Sequence, residues 1–193
     1  LFYLLMVGSG VGVRVLKSDV EKLPKLRSNY MIIHEDYSPV DSESREDSTS
    51  LEFHKNNTAK IVVGDSKEGW VQALDFFFKI IYSSEYRNIS TIVIKYDNVR
   101  PKGEVLKTFG GTASGHISLK NMFTKIDKVI KKRSSIEGKE RFKIRAIDCL
   151  DMANIIGENV VVGGVRRTAE IMLIDYDDKE CIEAKTNLYK QID

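Results

Sequence analysis

The amino-acid sequence predicts an α/β fold with a largely parallel sheet. Short runs rich in β-branched residues alternate along the chain with longer segments whose apolar residues recur every three or four positions. Clear examples are the β-branched runs at residues 59–63 and 91–94 and the periodic segment at residues 68–82 between them. Strands that alternate with helices are typical of a parallel sheet covered by helices.

The first part of the chain is expected to be mostly extended. The apolar run at residues 1–7 predicts a buried strand, and a glycine-rich turn separates it from a second strand at residues 13–16. Ser18 is expected to cap a short helical turn that Pro24 limits, before a third strand at residues 30–33. Because the chain starts inside an apolar run without an initiating methionine, we expect its true start to be missing.

Residues 36–58 form a polar stretch, which predicts a mobile loop. Residues 41–50 contain no core-forming side chain, so ordering them would bury little apolar surface. We therefore expect residues 41–50 in particular to be disordered or highly mobile.

Regular structure is expected in the remainder of the chain. Asp65 and Glu68 have the spacing of a capping box for a helix that reaches about residue 82. A second helix is expected around residues 119–130, a third at 144–156, a strand at 169–174 and a last helix at 178–191. The apolar positions of the first of these helices are expected in the core; they are Trp70, Ala73, Leu74, Phe77, Ile80 and Ile81.

The composition argues against several kinds of partner and site. The 30 basic and 28 acidic residues give a net charge of +2, too small to attract DNA or an anionic membrane over a distance. The run at residues 1–7 is too short to cross a bilayer and lacks the features of a secretory signal.

The two cysteines bear on metal binding and on location. Cys149 and Cys181 form neither a metal-type cluster nor a redox pair, so we expect no metal site and a cytoplasmic location.

One motif imitates a dinucleotide-binding fingerprint. The glycine-rich turn at residues 8–12 follows an apolar run, and Glu35 and Asp36 lie a little over twenty residues further on. The fingerprint would need glycine where Val13 stands, and Pro24 interrupts the segment that should form the phosphate-facing helix. A tight turn is the favoured interpretation.

Two further segments could contact anions. Residues 107–115 combine three glycines with hydroxyl side chains, and Arg100, Lys102 and Lys107 are close in sequence. Such a loop exposes backbone amides to a phosphate or ribose, although it would serve equally well as an approach to a helix capped by Ser118. The segment from Gly163 to Glu170 places two glycines before two arginines, which suits a mobile loop that grips anions, or else a solvated turn.

Five segments, taken in this order, resemble those of one enzyme family, the adenosylcobalamin-dependent ribonucleotide reductases. Each is a weak signal alone, but their shared order is specific, and the resemblance covers nearly the whole chain outside the polar stretch. The segments are VGDSKEGW (residues 63–70), VRPKG (99–103), GGTASG (110–115), DCLD (148–151) and GGVRRTAEI (163–171).

The resemblance implies that residues 1–193 are a single fragment of a ten-stranded α/β barrel, an incomplete half barrel. In that family adenosylcobalamin generates a thiyl radical, a cysteine pair supplies electrons from a thioredoxin-like reductant, and deoxynucleotide effectors act allosterically through a flexible loop. The products are deoxyribonucleotides for DNA replication. The implied positions for substrate and effector nucleotides are Gly110, Gly111, Thr112, Ser114, Gly115, Gly163, Gly164, Arg166, Arg167 and Thr168.

The sequence lacks the Asn-Pro-Cys-x-Glu type of segment that holds the family's radical cysteine. Cys149 is expected in the core and Cys181 on a surface helix, and neither matches a catalytic position of the family. We therefore expect no catalytic residue here, an inactive isolated chain, and the rest of the reductase barrel as a partner. The alternative is a non-catalytic nucleotide-binding or interaction module derived from such a barrel.

Overall fold

A computed structural model describes residues 1–105, 111–162, 168–184 and 186, and the described part is a mixed α/β fold. Short 3-10 turns lie at Ser42–Ser44 and Ser84–Tyr86. The helices are α1 (Phe2–Met6), α2 (Lys17–Val20), α3 (Lys67–Tyr82), α4 (Ile117–Glu137), α5 (Ala146–Val162) and α6 (Lys179–Glu183). The strands are β1 (Gly10–Arg14), β2 (Leu26–Arg27), β3 (Met31–His34), β4 (Ser50–His54), β5 (Thr58–Val62), β6 (Thr91–Lys95), β7 (Arg141–Phe142) and β8 (Ala169–Leu173).

These strands form three sheets within the described ranges rather than one. The largest has the order β3-β6-β5-β4, in which β3, β6 and β5 run parallel and β4 pairs antiparallel with β5. Strands β1 and β8 make a separate parallel pair, and β2 and β7 a short antiparallel pair. The expectation of parallel pairing is correct for most of these contacts, but the single sheet is wrong.

The two small sheets show how the chain is nested. Strand β1 pairs with β8 from Gly10↔Ala169 to Arg14↔Leu173, although nearly the whole described fold lies between them in sequence. Inside that pair, β2 and β7 join Leu26 to Phe142 and so close the base of the segment that contains the four-stranded sheet. The two ends of the segment at residues 28–140 therefore lie next to each other, at the β2–β7 pair.

The main core lies between the four-stranded sheet and helices α3 and α4. Ile61, Ile92 and Ile94 of the sheet are fully buried, and so are Phe77 of α3 and Phe123 of α4. The rings of these two phenylalanines meet edge-on with centroids 5.7 Å apart. Five of the apolar positions predicted for α3 are in this core, and Trp70 packs at its margin.

The N-terminal run is a helix and not the predicted strand. Phe2, Leu5 and Met6 are buried, whereas Tyr3 and Leu4 are exposed, so one face of α1 packs on the core. A short run of apolar residues fits a strand or a helix equally well, because it has no polar positions from which a period could be read. The following glycines are also partly misassigned, since Gly10–Arg14 is strand β1 and only the residues before it turn.

The polar stretch contains more structure than its composition predicts. Strand β4 lies within it and joins β5 through a hairpin in which Asn56 and Asn57 have positive φ angles of 63° and 56°. Asparagine tolerates this left-handed conformation better than most residues, so the Asn-Asn pair was an available turn signal. Arg45 and Thr49 are also held by hydrogen bonds, which an argument from apolar surface alone does not count.

Three predicted helix caps are displaced. Ser18 lies inside α2, whose N-cap position is Leu16. The hydroxyl of Ser66, not Asp65, accepts the hydrogen bond from the Gly69 amide at the start of α3. Ser118 lies inside the first turn of α4, whose N-cap position is His116.

The last helix, α6, is shorter than expected and ends at Glu183. Most of the residues predicted to extend it lie outside the described part of the chain.

Helix α4 ends at Gly138, which has a positive φ of 61°, and residues 139–145, which include β7, lead to α5. The contacts Lys125–Glu158 and Arg133–Asp148 show that the two helices run antiparallel. A buried ion pair connects them. The Arg133 guanidinium donates to both carboxylate oxygens of Asp148 at 2.6 and 3.0 Å. The Asp148 carboxylate also accepts a hydrogen bond from the Arg145 amide at 2.8 Å. It therefore stabilises the N-terminus of α5 and also binds α4 through Arg133.

Replacing Asp148 with alanine should lower the free energy of unfolding by about 3 kcal/mol, because it leaves the buried Arg133 charge unpaired. The double variant R133M/D148A should recover part of this loss, since the unpaired charge is then gone. Urea unfolding of both variants and of the wild type measures the difference. Equal losses in the single and double variants would show that the ion pair does not couple the helices.

Candidate functional site

The antiparallel arrangement of α4 and α5 brings two of the candidate segments to the same end of the helix pair. Lys125 near the start of α4 contacts Glu158 near the end of α5 at 2.6 Å. The glycine-rich segment leads into α4, and the arginine segment follows α5. The start of α4 and the end of α5, to which the two segments attach, therefore lie at the same end of the helix pair.

Only some of the predicted site residues fall in the described ranges. Gly111, Thr112, Ser114 and Gly115 lie just before α4, and Thr168 lies just before β8. The other five lie outside the described residues; they are Gly110, Gly163, Gly164, Arg166 and Arg167.

The described part of the glycine-rich segment is built as a narrow ladder. The Gly103 amide donates to the Ala113 carbonyl at 2.9 Å, and the Ala113 amide donates to the Glu104 carbonyl at 2.8 Å. Gly115 has a φ of 76°, and a side chain there would meet the backbone of Lys102 at 3.0 Å. Glycine is thus required at position 115 by both conformation and space.

Thr168 ties the end of the arginine segment to the start of β1. Its hydroxyl donates to the carbonyl of Ser9 at 3.1 Å, beside Gly8, whose φ is 83°. Gly10 and Gly12 are strand residues paired with β8, and the helix that follows, α2, has only four residues. The interpretation of residues 8–12 as a tight turn is therefore wrong for Gly10 and Gly12, whereas Gly8 does lie in a turn.

A cleft between α4 and α5 was not anticipated from the sequence. Asn159 is 4% exposed, and neither its amide nitrogen nor its amide oxygen has a hydrogen-bond partner. The buried hydroxyl of Ser118 also lacks a partner. The cleft has a volume of about 90 Å³ and is lined by Ser118, Asn121, Met122, Lys125, Ile155, Glu158 and Asn159.

These unsatisfied groups give the cleft free hydrogen-bond donors and acceptors. A buried amide without a partner costs free energy, and native proteins mostly avoid this cost unless the group has a role. Asn159 offers one donor side and one acceptor side, and Lys125 and Glu158 form an ion pair at the rim. The signal in the sequence was Asn159 itself, a polar residue within the apolar end of α5.

Histidine side chains fix α4 against the carboxyl end of the sheet. His34, at the end of β3, shares a hydrogen bond with Tyr96 at 2.8 Å through Nδ1 and with Thr124 of α4 at 3.2 Å through Nε2. Burial, together with the nearby Lys120 charge, lowers the pKa of His34. The lowered pKa favours the neutral imidazole. A neutral ring can make both hydrogen bonds, because one ring nitrogen donates to a hydroxyl and the other accepts from one.

The two cysteines lie in a small second core and not in the candidate site. Cys181 is buried with Val15 and Leu150, so the prediction of a surface position is wrong, and Cys149 packs at the margin of the same cluster. Burial is the first cause that raises the pKa of Cys149 to about 12 and that of Cys181 to about 11, and Asp148 and Asp178 respectively add to it. Both thiols are thus held protonated.

Other types of site are not found among the described residues. No group of three or more His, Cys, Asp or Glu side chains there could hold a metal ion. No described helix is both long enough and apolar enough to span a membrane.

Comparison with known proteins identifies the class to which this fold and site belong. Residues 32–130 match the family model described as the insertion domain of B12-dependent ribonucleotide reductase. A crystal structure of a B12-dependent (class II) ribonucleotide reductase superposes with a TM-score of 0.75 at 24% identity, over 98% of this chain and 26% of that one. The fold is therefore that of part of a class II ribonucleotide reductase.

Curated relatives make the assignment more specific. The adenosylcobalamin-dependent ribonucleoside-triphosphate reductases of Lactobacillus gasseri and Lacticaseibacillus paracasei are 32% and 34% identical, over 98% and 94% of this chain. A putative reductase of the same kind from Mycobacterium phage D29 is 29% identical over 97% of the chain. The chain belongs to the B12-dependent ribonucleotide reductase family, and it spans about a quarter of the length of these relatives.

The raised thiol pKa values predict that both cysteines react slowly in the folded chain. At pH 8 we expect a disulfide reagent such as DTNB to label them at least about a hundred-fold more slowly than free cysteine, because so little thiolate is present. The same chain in urea is the control and should react at the rate of free cysteine. Rapid labelling of the folded chain would contradict the burial of these thiols.

Proposed function

We propose that this chain is the nucleotide-contacting part of an adenosylcobalamin-dependent ribonucleoside-triphosphate reductase and helps to select which nucleotide is reduced. The observation that carries the proposal is the antiparallel α4–α5 pair. The glycine-rich segment precedes α4 and the arginine segment follows α5, so this packing favours a common site at that end of the pair, beside a cleft with unpartnered polar side chains. The similarity to reductases over nearly the whole chain favours this function over an independent binding module.

Within this proposal the two segments have separate tasks. Backbone amides and hydroxyls of Gly110, Gly111, Thr112, Ser114 and Gly115 bind the phosphate or ribose of a nucleotide, as small residues permit close approach. The arginine segment responds to a deoxynucleotide effector. The residues assigned to this task are Gly163, Gly164, Arg166, Arg167 and Thr168, of which the two arginines supply charge for an anion.

The nested topology supports a division of the chain between two parts of the enzyme. We assign β1 and β8 to the wall of the family's ten-stranded α/β barrel, because they pair in parallel and are separate from the larger sheet. The segment closed by β2 and β7 is then an insertion on that wall, and it contains the residues that match the insertion-domain model. The remaining part of the barrel is the partner that β1 and β8 require.

The described residues do not fit adenosylcobalamin. The α4–α5 cleft, at about 90 Å³, is far below the roughly 300–1,000 Å³ of pockets that enclose drug-sized ligands, so it has room for one polar group of a nucleotide bound beside it but not for a corrin ring. The two cysteines are also held as thiols. We therefore assign the cofactor, the radical cysteine and the site of the thioredoxin-like reductant to other parts of the cytoplasmic enzyme, and derive no radical step from this chain.

Asn159 provides the first test. Replacing it with leucine should raise the free energy of unfolding by about 1 kcal/mol, because the buried amide has no partner to lose. The same change should weaken deoxynucleoside triphosphate binding to the full-length reductase, measured by equilibrium dialysis with dATP, dGTP and dTTP.

The control is Asn154→Leu, on the same helix but outside the cleft. It should leave the affinity of each nucleotide unchanged. If N159L binds all three nucleotides as tightly as the wild type, the cleft has no part in recognition and the proposal loses its carrying observation.

The arginine segment provides the second test. Alanine at Arg166 or Arg167 should change which base is reduced under a given effector, since a charged hydrogen bond contributes about 1.5–3 kcal/mol, or ten-fold and more in preference. Competition between two substrates in the full-length reductase, with and without effector, measures the ratio. A solvated turn predicts effects within about 0.5 kcal/mol, so unchanged ratios in both variants would reduce the segment to a connector.

A further inference from the structure

One contiguous piece of the polar stretch, residues 36–49, crosses the carboxyl end of the four-stranded sheet; we refer to it as the strap. The Tyr37 hydroxyl donates to the Val99 carbonyl at 2.6 Å. The Ser38 amide donates to the Asp97 carboxylate and the Val40 amide to the Asp97 carbonyl, each at 3.0 Å. The strap thus runs beside the residues that lead from β6 towards the glycine-rich segment.

Arg45 attaches the strap to the incoming flank of that segment. Its guanidinium makes a two-pronged contact with Glu104, at 2.6 and 2.7 Å, and donates a third hydrogen bond to the carbonyl of Val40 at 3.2 Å. Asp65 lies 3.7 Å away on the same side and is itself paired with Arg100 at 2.9 Å. The Arg45 side chain is only 9% exposed, so solvent weakens these contacts less than it would at the surface.

The strap also contacts the outgoing flank. The ring of Tyr37 stacks on the ring of His116 with centroids 3.9 Å apart, and His116 holds the N-cap position of α4. Between these two attachments, Glu104 and Ala113 face each other across the narrow ladder. Both flanks of the glycine-rich segment are therefore fixed from one short piece of chain.

We propose that Arg45 is a positioning residue for nucleotide binding: by fixing Glu104 it sets the spacing of the two flanks on which the glycine-rich segment is mounted. Arg45 does not need to touch the nucleotide, and the inference rests on the proposed function. A bidentate guanidinium–carboxylate pair fixes both distance and orientation, which a single point charge does not. Loss of the pair should loosen the ladder without unfolding the sheet.

The experiment compares R45M with the matched control K60M in the full-length reductase. Lys60 pairs with Glu35 at 2.8 Å in the same sheet, but it touches neither the strap nor the flanks. Hydrogen exchange of the Gly103 and Ala113 amides reports on the ladder, and equilibrium binding of dATP, dGTP and dTTP reports on function. In R45M we expect exchange at both amides and the dissociation constant of the bound nucleotide to rise by about ten-fold, and in K60M neither to change.

Two more variants keep the result decisive if R45M does not fold. Glu104→Gln removes the charge with little change in volume and should reproduce the effect. Arg45→Lys keeps the charge but not the two-pronged geometry, and it should give a smaller rise than R45M. Melting temperatures of E104Q and R45K should stay close to that of K60M.

The outcomes separate this inference from the proposed function. Unchanged exchange at Gly103 and Ala113 in both R45M and E104Q overturns the positioning role. Faster exchange with an unchanged dissociation constant also overturns it, because the flanks then move without consequence for the ligand. If the wild type binds none of the three nucleotides, the proposed function fails, and the exchange measurements still decide whether Arg45 holds the flank.

Discussion

The fold depends on one pairing, that of β1 with β8. These strands are far apart in sequence, yet they lie side by side in parallel from Gly10↔Ala169 to Arg14↔Leu173. A parallel pair needs a crossover connection, and here the connection includes a four-stranded sheet whose core also takes in residues of α1. The pairing brings the end of the arginine segment, at Thr168, to the start of β1 and thereby fixes one side of the candidate site.

The second constraint is the antiparallel packing of α4 on α5. The buried Arg133–Asp148 pair and the exposed Lys125–Glu158 pair lie at two levels of this helix pair, which fixes both its direction and its register. Because the two helices run antiparallel, the start of α4 lies at the same end of the pair as the end of α5. The histidine contacts from the sheet to Thr124 then orient the helix pair relative to the strap.

Strong periodicity made part of the fold predictable. The core face of α3 and the strands β3, β5 and β6 follow from the spacing of apolar and β-branched residues, and the structure has them within one or two residues of the predicted bounds. The run at residues 1–7 was ambiguous because it has no polar positions. Strand β4 was missed because its side chains are mostly exposed and its order comes from backbone pairing with β5.

The candidate site was less predictable, for a related reason. The family-like segments identified the chain ends that approach the site, but the cleft needs Ser118 and Asn159 from two helices, and no local pattern joins them. Arg45 likewise acquires its role only through Glu104, and within its own sequence neighbourhood it is one charge in a polar run. The buried Cys181 shows the same limit, since its burial comes from Val15 and Leu150, which are distant in sequence.

The short β2–β7 pair has a consequence for the order of folding. Closing β1 on β8 across a flexible chain would carry the entropic cost of a very long loop, a cost that rises with the logarithm of loop length. Once the four-stranded sheet has formed and Leu26 has paired with Phe142, the intervening segment behaves as a rigid body whose two ends are adjacent. The chain that still separates β1 from β8 is then made of residues 15–25 and 143–168, which include α2 and α5. If β2 and β7 pair early, the parallel pair of β1 and β8 can form at the rate of a contact between residues much closer in sequence.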